Sequence, residues 1–259
     1  TIRSVVSGTD DRHPLCSPHA ARTLFPLLMD YLIPETPTSQ LVPSLGALES
    51  LLRRRTNSAE IAAVIGELLP LVLEMQGQEQ APEVRAVAAA AAGSCAEASG
   101  FPALYGAVVG LFGEDEREAC RLGALQLLTT QCLAHRSECS QFLTASGAGK
   151  LADLLRTLCA ATAGSQSPPL RRAIASTLHA LFLLDATAFL ATAARDLTQQ
   201  QQDCLCSVLK DTMPELKDTI PLYAPVLPGR RDSGVKRRES SDPPDPKPTR
   251  APSGRTPGK

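Results

Sequence analysis

Cys132-Leu-Ala-His135-Arg-Ser-Glu-Cys139 brings three soft metal ligands into eight residues, with Cys120 one helix length upstream. Zinc accepts this donor set. On a helix, however, Cys132 and His135 share a face by i, i+3 spacing, and free Cys packs as a small hydrophobe. A structural role is therefore expected, with no metal and no cofactor. Cys204 and Cys206 are two apart and point to different faces of a helix. Ser146-Gly-Ala-Gly149-Lys150 hints at a phosphate loop, but the Walker pattern needs Gly in place of Thr144 and Ser or Thr in place of Leu151. A helix-breaking turn is expected there. His179 lies beside Ser176 and Thr177 without a third triad member or nucleophile elbow. Asp115 and Glu116 are paired carboxylates at an exposed helix start, with no apolar pocket to raise a pKa. No catalytic residue is assigned, and the chain is expected not to be an enzyme.

Three arginines recur in one pattern. Ala81-Pro-Glu-Val-Arg85-Ala-Val-Ala88, Glu118-Ala-Cys-Arg121-Leu-Gly-Ala124 and Pro169-Leu-Arg-Arg172-Ala-Ile-Ala175 each run from a helix start through an Arg to small and apolar residues. Two readings of Arg85, Arg121 and Arg172 stay open: a bridge between neighbouring repeats, or a groove for an acidic peptide. Near the C-terminus, Arg230-Arg231-Asp232-Ser233 and Lys236-Arg237-Arg238-Glu239-Ser240 both contain Arg-Arg-x-Ser. Basophilic kinases prefer this pattern because paired guanidinium groups meet carboxylates in the kinase groove, so Ser233 and Ser240 are candidate phosphorylation sites.

A pass along the chain supplies the elements that hold these residues. Residues 1–16 have little periodicity and read as a frayed N-terminal segment. Helices are expected over 17–33 and 39–54, with Pro34-Glu-Thr-Pro37 between them. Ser58 caps the next, where Ile61, Ile65, Leu68, Leu69, Val72 and Met75 make one apolar stripe kinked by Pro70. After a turn over 77–81, Pro82 opens an Ala-rich helix ending near Ser99 and Gly100. A short helix over 101–112 precedes a long one reaching His135. A Gly break separates a short helix near 141–145 from a Leu-rich helix with Leu151, Leu154, Leu155 and Leu158 inward. Residues 160–167 read as a polar loop, after which Ile174, Leu178, Leu181 and Phe182 face inward. A last hairpin is expected over 185–196 and 198–213, its Gln-rich start solvated, with a short element over 217–227.

The Arg-bearing helices and an upstream copy, where Leu45-Gly-Ala-Leu48 puts Ser44 at the Arg position, are spaced 41, 36 and 51 residues apart. That period suits armadillo and HEAT units. Composition agrees with helices: hydrophobic residues make up 43% of the 259, yet aromatics only 3%, so small aliphatic side chains must fill the core. Charge divides the chain: from Pro228 onward nine Lys/Arg face four Asp/Glu, a net +5, leaving −6 on residues 1–227. An acidic body does not suit a phosphate-lined groove, so no nucleic acid is expected as a partner. The eight Cys lie mostly in apolar runs, without a signal peptide or an Asn-x-Ser/Thr site, and read as reduced thiols of a cytoplasmic protein. No run of about 18 apolar residues predicts a membrane span. The start at Thr1, without Met, leaves open a fragment of a longer protein. Residues 228–259, rich in Pro, Ser and basic groups, are expected to be disordered.

By these repeated residues, positions 17–214 resemble the armadillo/HEAT superfamily, within a helical repeat domain expected over 17–227. The resemblance implies an all-α fold, a right-handed α-solenoid of about five helical hairpins with a disordered C-terminal tail. It implies a non-catalytic scaffold or adaptor that binds other proteins. Importin-α-like grooves use recurrent Trp and Asn; this chain has no Trp and one Asn, Asn57. The tubulin-binding TOG class is similar in length and gives the alternative, a microtubule-associated protein whose basic tail aids binding to tubulin or another acidic surface. Its contacts lie in turns that here read Pro34-Glu-Thr-Pro37, Gly77-Gln-Glu-Gln80, Gly113-Glu-Asp-Glu116 and Gly164-Ser-Gln-Ser167.

Overall fold

The computed structural model describes residues 18–53, 58–114, 117–145, 149–165 and 167–212. The segment 1–16, the Asp115/Glu116 pair, Ser146, the short element at 217–227 and the tail with Ser233 and Ser240 lie outside the described residues. The chain divides into two units, Thr1–Ala224 and Pro225–Lys259, and all the described residues belong to the first.

Among the described residues there are eleven α-helices and no strand: α1 (Pro18–Met29), α2 (Thr38–Leu52), α3 (Ser58–Glu74), α4 (Pro82–Ser99), α5 (Phe101–Glu114), α6 (Glu118–Ala134), α7 (Arg136–Thr144), α8 (Lys150–Gly164), α9 (Pro168–Leu184), α10 (Ala186–Asp196) and α11 (Gln199–Thr212). Local chemistry sets many of the ends. Pro82 opens α4, where its missing N–H goes unused. Ser167 accepts from Leu170 N and Asp185 from Ala188 N, each hydroxyl or carboxylate taking up an orphan donor of the first turn. Gly100 (φ 75°) closes α4 and Gly149 (φ 60°) opens α8; both occupy the left-handed region that a Cβ disfavours.

Packing runs in two series. α2 packs on α4, α4 on α6, α6 on α9 and α9 on α11, while α1 packs on α3, α3 on α5, α5 on α8 and α8 on α10. The two series meet face to face, as at α3 with α4 and α5 with α6. One continuous core results, built from Leu with Ala and Cys where helices approach closely. Leu151, Leu154, Leu155 and Leu158 are buried in it, as are Ile174, Leu178 and Leu181. The few aromatics work in edge-to-face pairs, Phe142 against both Phe101 and Tyr105, and Phe182 against Phe189.

Several boundaries differ from expectation. The first helix stops at Met29, and Tyr31 and Ile33 emerge 47% and 45% exposed. α5 runs through Gly113 to Glu114, past the expected turn. The supposed loop at 160–167 is mostly helix: α8 continues to Gly164 because its alanines favour helix, and Thr162, buried, donates back to Leu158 O. At the start of α11, Gln202 is half-buried and donates to Ala193 O and Leu197 O, and Gln201 Oε1 accepts from Thr198 N. Those side chains cap backbone rather than simply solvating a face. Pro70 sits within a continuous α3, and Pro26 and Pro43 likewise fall inside helices.

Candidate interaction surface

Arg85, Arg121 and Arg172 are the fourth or fifth residues of α4, α6 and α9, and α6 packs on both other helices. The recurrence read in sequence therefore becomes one arginine near the start of each of three adjoining helices. Among the described residues no hydrogen bond joins any of the three to a neighbouring helix. Nε of Arg85 and Nε of Arg121 are both buried without an acceptor. The Arg121 guanidinium lies over the Phe112 ring, 5.8 Å from its centroid. Arg172 is exposed and forms no hydrogen bond or ion pair among the described residues. It lines a groove of about 420 Å³ between α6 and α9 with Leu122, Gln126, Thr129, Thr130 and Ser176. No carboxylate is among the groove's lining residues.

Other side chains tie neighbouring helices together. Arg117 pairs with Glu74 where the start of α6 meets the end of α3, and Cys120 Sγ donates to Pro70 O at 3.6 Å. Ser167 Oγ donates to Glu118, joining the first turns of α9 and α6. Deeper in that contact Thr177 spends its hydroxyl hydrogen on Ala173 O, so the 2.9 Å contact to Thr129 Oγ1 is one that Thr129 donates. Tyr105 Oη donates to Lys150 O at 2.8 Å, linking α5 to α8. Burial raises the Tyr105 pKa to about 12, with the Asp153 charge adding to it. Arg156 donates to Asp196 O between α8 and α10, and Arg171 pairs with Asp211 at 2.8 Å between α9 and α11. None of these partners was foreseen from sequence. The available signal was complementary polar residues one repeat apart, which is meaningful only once the period is known.

The soft-ligand cluster comes apart in the fold. Cys132 and Cys139 are buried with their thiols in contact, whereas His135 terminates α6 and is exposed. Among the described residues no group of three or more His, Cys, Asp or Glu is arranged to hold a metal ion. Burial pushes the Cys132 thiol strongly up and carries Cys139 to about 11, Cys95 to about 12 and Cys159 to about 12. Such thiols stay protonated and are poor nucleophiles or ligands at neutral pH. Lys150 points its ammonium at the Phe142 ring, 3.5 Å from the centroid, so the Gly-Lys pair serves a helix start and a cation–π contact. His179 is half-buried, and among the described residues no hydrogen bond joins it to Ser176 or Thr177.

Two further hollows lie elsewhere on the described surface. One, of about 700 Å³ between α3 and α5, is lined by Ala62, Gly66, Glu67, Ala103, Gly106 and Gly110, with Arg117 from the start of α6. The other, of about 570 Å³ among α7, α8 and α10, carries Arg156, Arg195 and Asp196. There the hydrogen bond from Arg195 holds the Asp196 carboxyl below its ordinary range. Among the described residues no single helix is long and apolar enough to cross a membrane; α9 and α10 qualify only together and are bent by 116°. Compared with known proteins, the chain matches no family model, no curated protein and no solved structure.

Proposed function

We propose that residues 17–227 form an armadillo/HEAT-type α-solenoid that works as a non-catalytic scaffold, binding partner proteins along its helical surface in the cytoplasm. The observation that carries this reading is the agreement of two periods. Arg85, Arg121 and Arg172 recur every 36 and 51 residues in sequence, and the polar ties between neighbouring helices join residues 40 to 50 apart. Repeats of that length bury a continuous core only by stacking, which leaves an extended face for recognition. The right-handed superhelix and the count of about five hairpins belong to the same proposal.

The test is photo-cross-linking of the full chain in cells, with the cross-linker placed in turn on α6, on α9 and on exposed positions of α3. Cross-links to partner proteins concentrated on one series of helices support a scaffold. Turnover of a small substrate that a change at His179 or Cys132 abolishes would overturn it. Co-sedimentation with microtubules, lost when the tail is removed, would favour the TOG-like alternative instead.

A further inference from the structure

We infer that Ser167 is a phosphorylation site for a proline-directed kinase, and that the added phosphate releases the first turn of α9 from the first turn of α6. The inference goes beyond the scaffold reading and does not depend on it.

Ser167 is followed by Pro168 and Pro169. Proline-directed kinases seat the residue after the target serine in an apolar pocket, where any residue but Pro would leave a backbone N–H without an acceptor. The target must also enter the kinase groove as extended chain. Between α8 and α9 the backbone is extended at two positions: Ser165 has φ −133° and ψ 132°, and Ser167 has φ −63° and ψ 118°. Pro168 and Pro169 are exposed and Ser167 is half-buried. Ser165 lacks the following proline, and its hydroxyl accepts from Ser167 N at 3.1 Å. Among the described residues Thr36 also precedes a Pro, but it lies in the turn between α1 and α2, where its amide donates to Ile33 O within the same turn.

The consequence follows from the two bonds of the Ser167 hydroxyl. It accepts from Leu170 N at 3.5 Å as the cap of α9, and it donates to Glu118 Oε1 on α6. Transfer of the γ-phosphoryl group from ATP forms the Oγ–P bond, expels ADP and removes the hydroxyl proton. The donor to Glu118 is then gone, and a charge of about −1.5 to −2 stands against that carboxylate in its place. The cap survives, because phosphate oxygens accept from the amides of a helix N-terminus. A cation is close by within α9. The Arg171 amide donates to Ser167 O at 3.0 Å, one helical turn along, and the Arg171 guanidinium holds Asp211 of α11 at 2.8 Å. The phosphate competes with Asp211 for that fork. One modification therefore weakens two ties of α9, to α6 and to α11, and leaves the deeper contact between Thr129 and Thr177 in place.

The experiment incubates the full chain with Mg-ATP and a proline-directed kinase, and maps the phosphate by mass spectrometry of fragmented peptides. Phosphate is expected on Ser167 and not on Ser165. Hydrogen exchange should then rise in the first turn of α6 and stay unchanged around Thr129. Thermal melts in two backgrounds isolate the cause. Phosphorylation should lower the melting temperature of the unaltered chain by about 2 °C more than that of Glu118→Gln, and the gap should narrow in high salt. Ser167→Asp, which keeps a good helix cap, should reproduce the gap without the kinase. A Ser167 left unmodified after incubation would overturn the inference. So would equal shifts in both backgrounds with unchanged exchange at the start of α6.

Discussion

Gly123 of α6 packs against Leu73 of α3, and adding one methyl there gives a direct test of the packing. A Cβ on Gly123 would lie 2.7 Å from Leu73 Cδ2 and 3.5 Å from Leu73 Cγ. Ordinary carbon contacts need about 3.5–4.0 Å, so Leu73 must retreat by about 1 Å. Leu73 is fully buried and cannot swing into water. Overpacking of this kind costs about 1–3 kcal/mol, offset by the gain of about 1 kcal/mol for Ala over Gly within a helix. Gly123→Ala should therefore destabilise by about 0–2 kcal/mol. Gly66, in the middle of α3, would meet nothing within 4 Å, so Gly66→Ala keeps the whole gain and stabilises by about 1 kcal/mol. The two variants should differ by about 1–3 kcal/mol in urea titrations followed by circular dichroism. A double-mutant cycle sharpens the point: Leu73→Ala alone opens a cavity costing about 2–5 kcal/mol, and the methyl at position 123 should refill part of it. The double change should then cost less than the sum by at least about 0.5 kcal/mol. Equal stabilities for the two glycine variants, together with no coupling to Leu73, would refute the α3–α6 contact.

Leu178 is fully buried in α9, so Leu178→Ala should cost about 2–5 kcal/mol; a loss below about 0.5 kcal/mol in denaturant would put it on the surface. Burial raises the Cys95, Cys139 and Cys159 thiols from an ordinary 9.0 to about 12, 11 and 12. The folded state keeps protons that the unfolded state releases above pH 9, so stability is full below pH 9 and falls as pH rises toward 11. A urea midpoint flat across that window would contradict the burial of these thiols. In native protein a maleimide should label the half-buried Cys204 and Cys206 before Cys95, Cys132 or Cys159; the reverse order by peptide mass mapping would do the same. Phosphorylation of Ser233 and Ser240 should move the tail from +5 to roughly +1 to +2 and weaken its binding to acidic vesicles. Binding indifferent to Ser233→Asp and Ser240→Asp would refute that electrostatic reading.

The all-helical class was legible because it is written in periodicity. The stripes through Ile61 to Met75 and Ile174 to Leu181 alternate at helical spacing whatever they pack against, and both are buried. Boundaries set by local chemistry were legible too, as at Pro82 and Gly100. Boundaries that depend on tertiary packing were not: a polar-looking Thr162 continues α8, buried with its hydroxyl turned back on its own helix. The arginines were found as a pattern, but which of them pair among the described residues could not be read from sequence. Glu74, Asp196 and Asp211 meet other arginines, and that choice depends on how helices 40 or so residues apart fall against each other.

The ties between neighbouring helices have a mechanical meaning. Cys120 to Pro70 spans 50 residues, and the ties from Arg156, Arg171, Ser167 and Tyr105 are all shorter in sequence. α11 is held chiefly by α8 and α9, and α9 in turn by α6. In the proposed solenoid, a pulling force applied at the ends of the helical array would load these contacts one after another, as links in series, instead of shearing them all at once. The protein should yield in small steps and recover each one separately when slack returns, behaving as a soft spring between whatever is attached to its two ends.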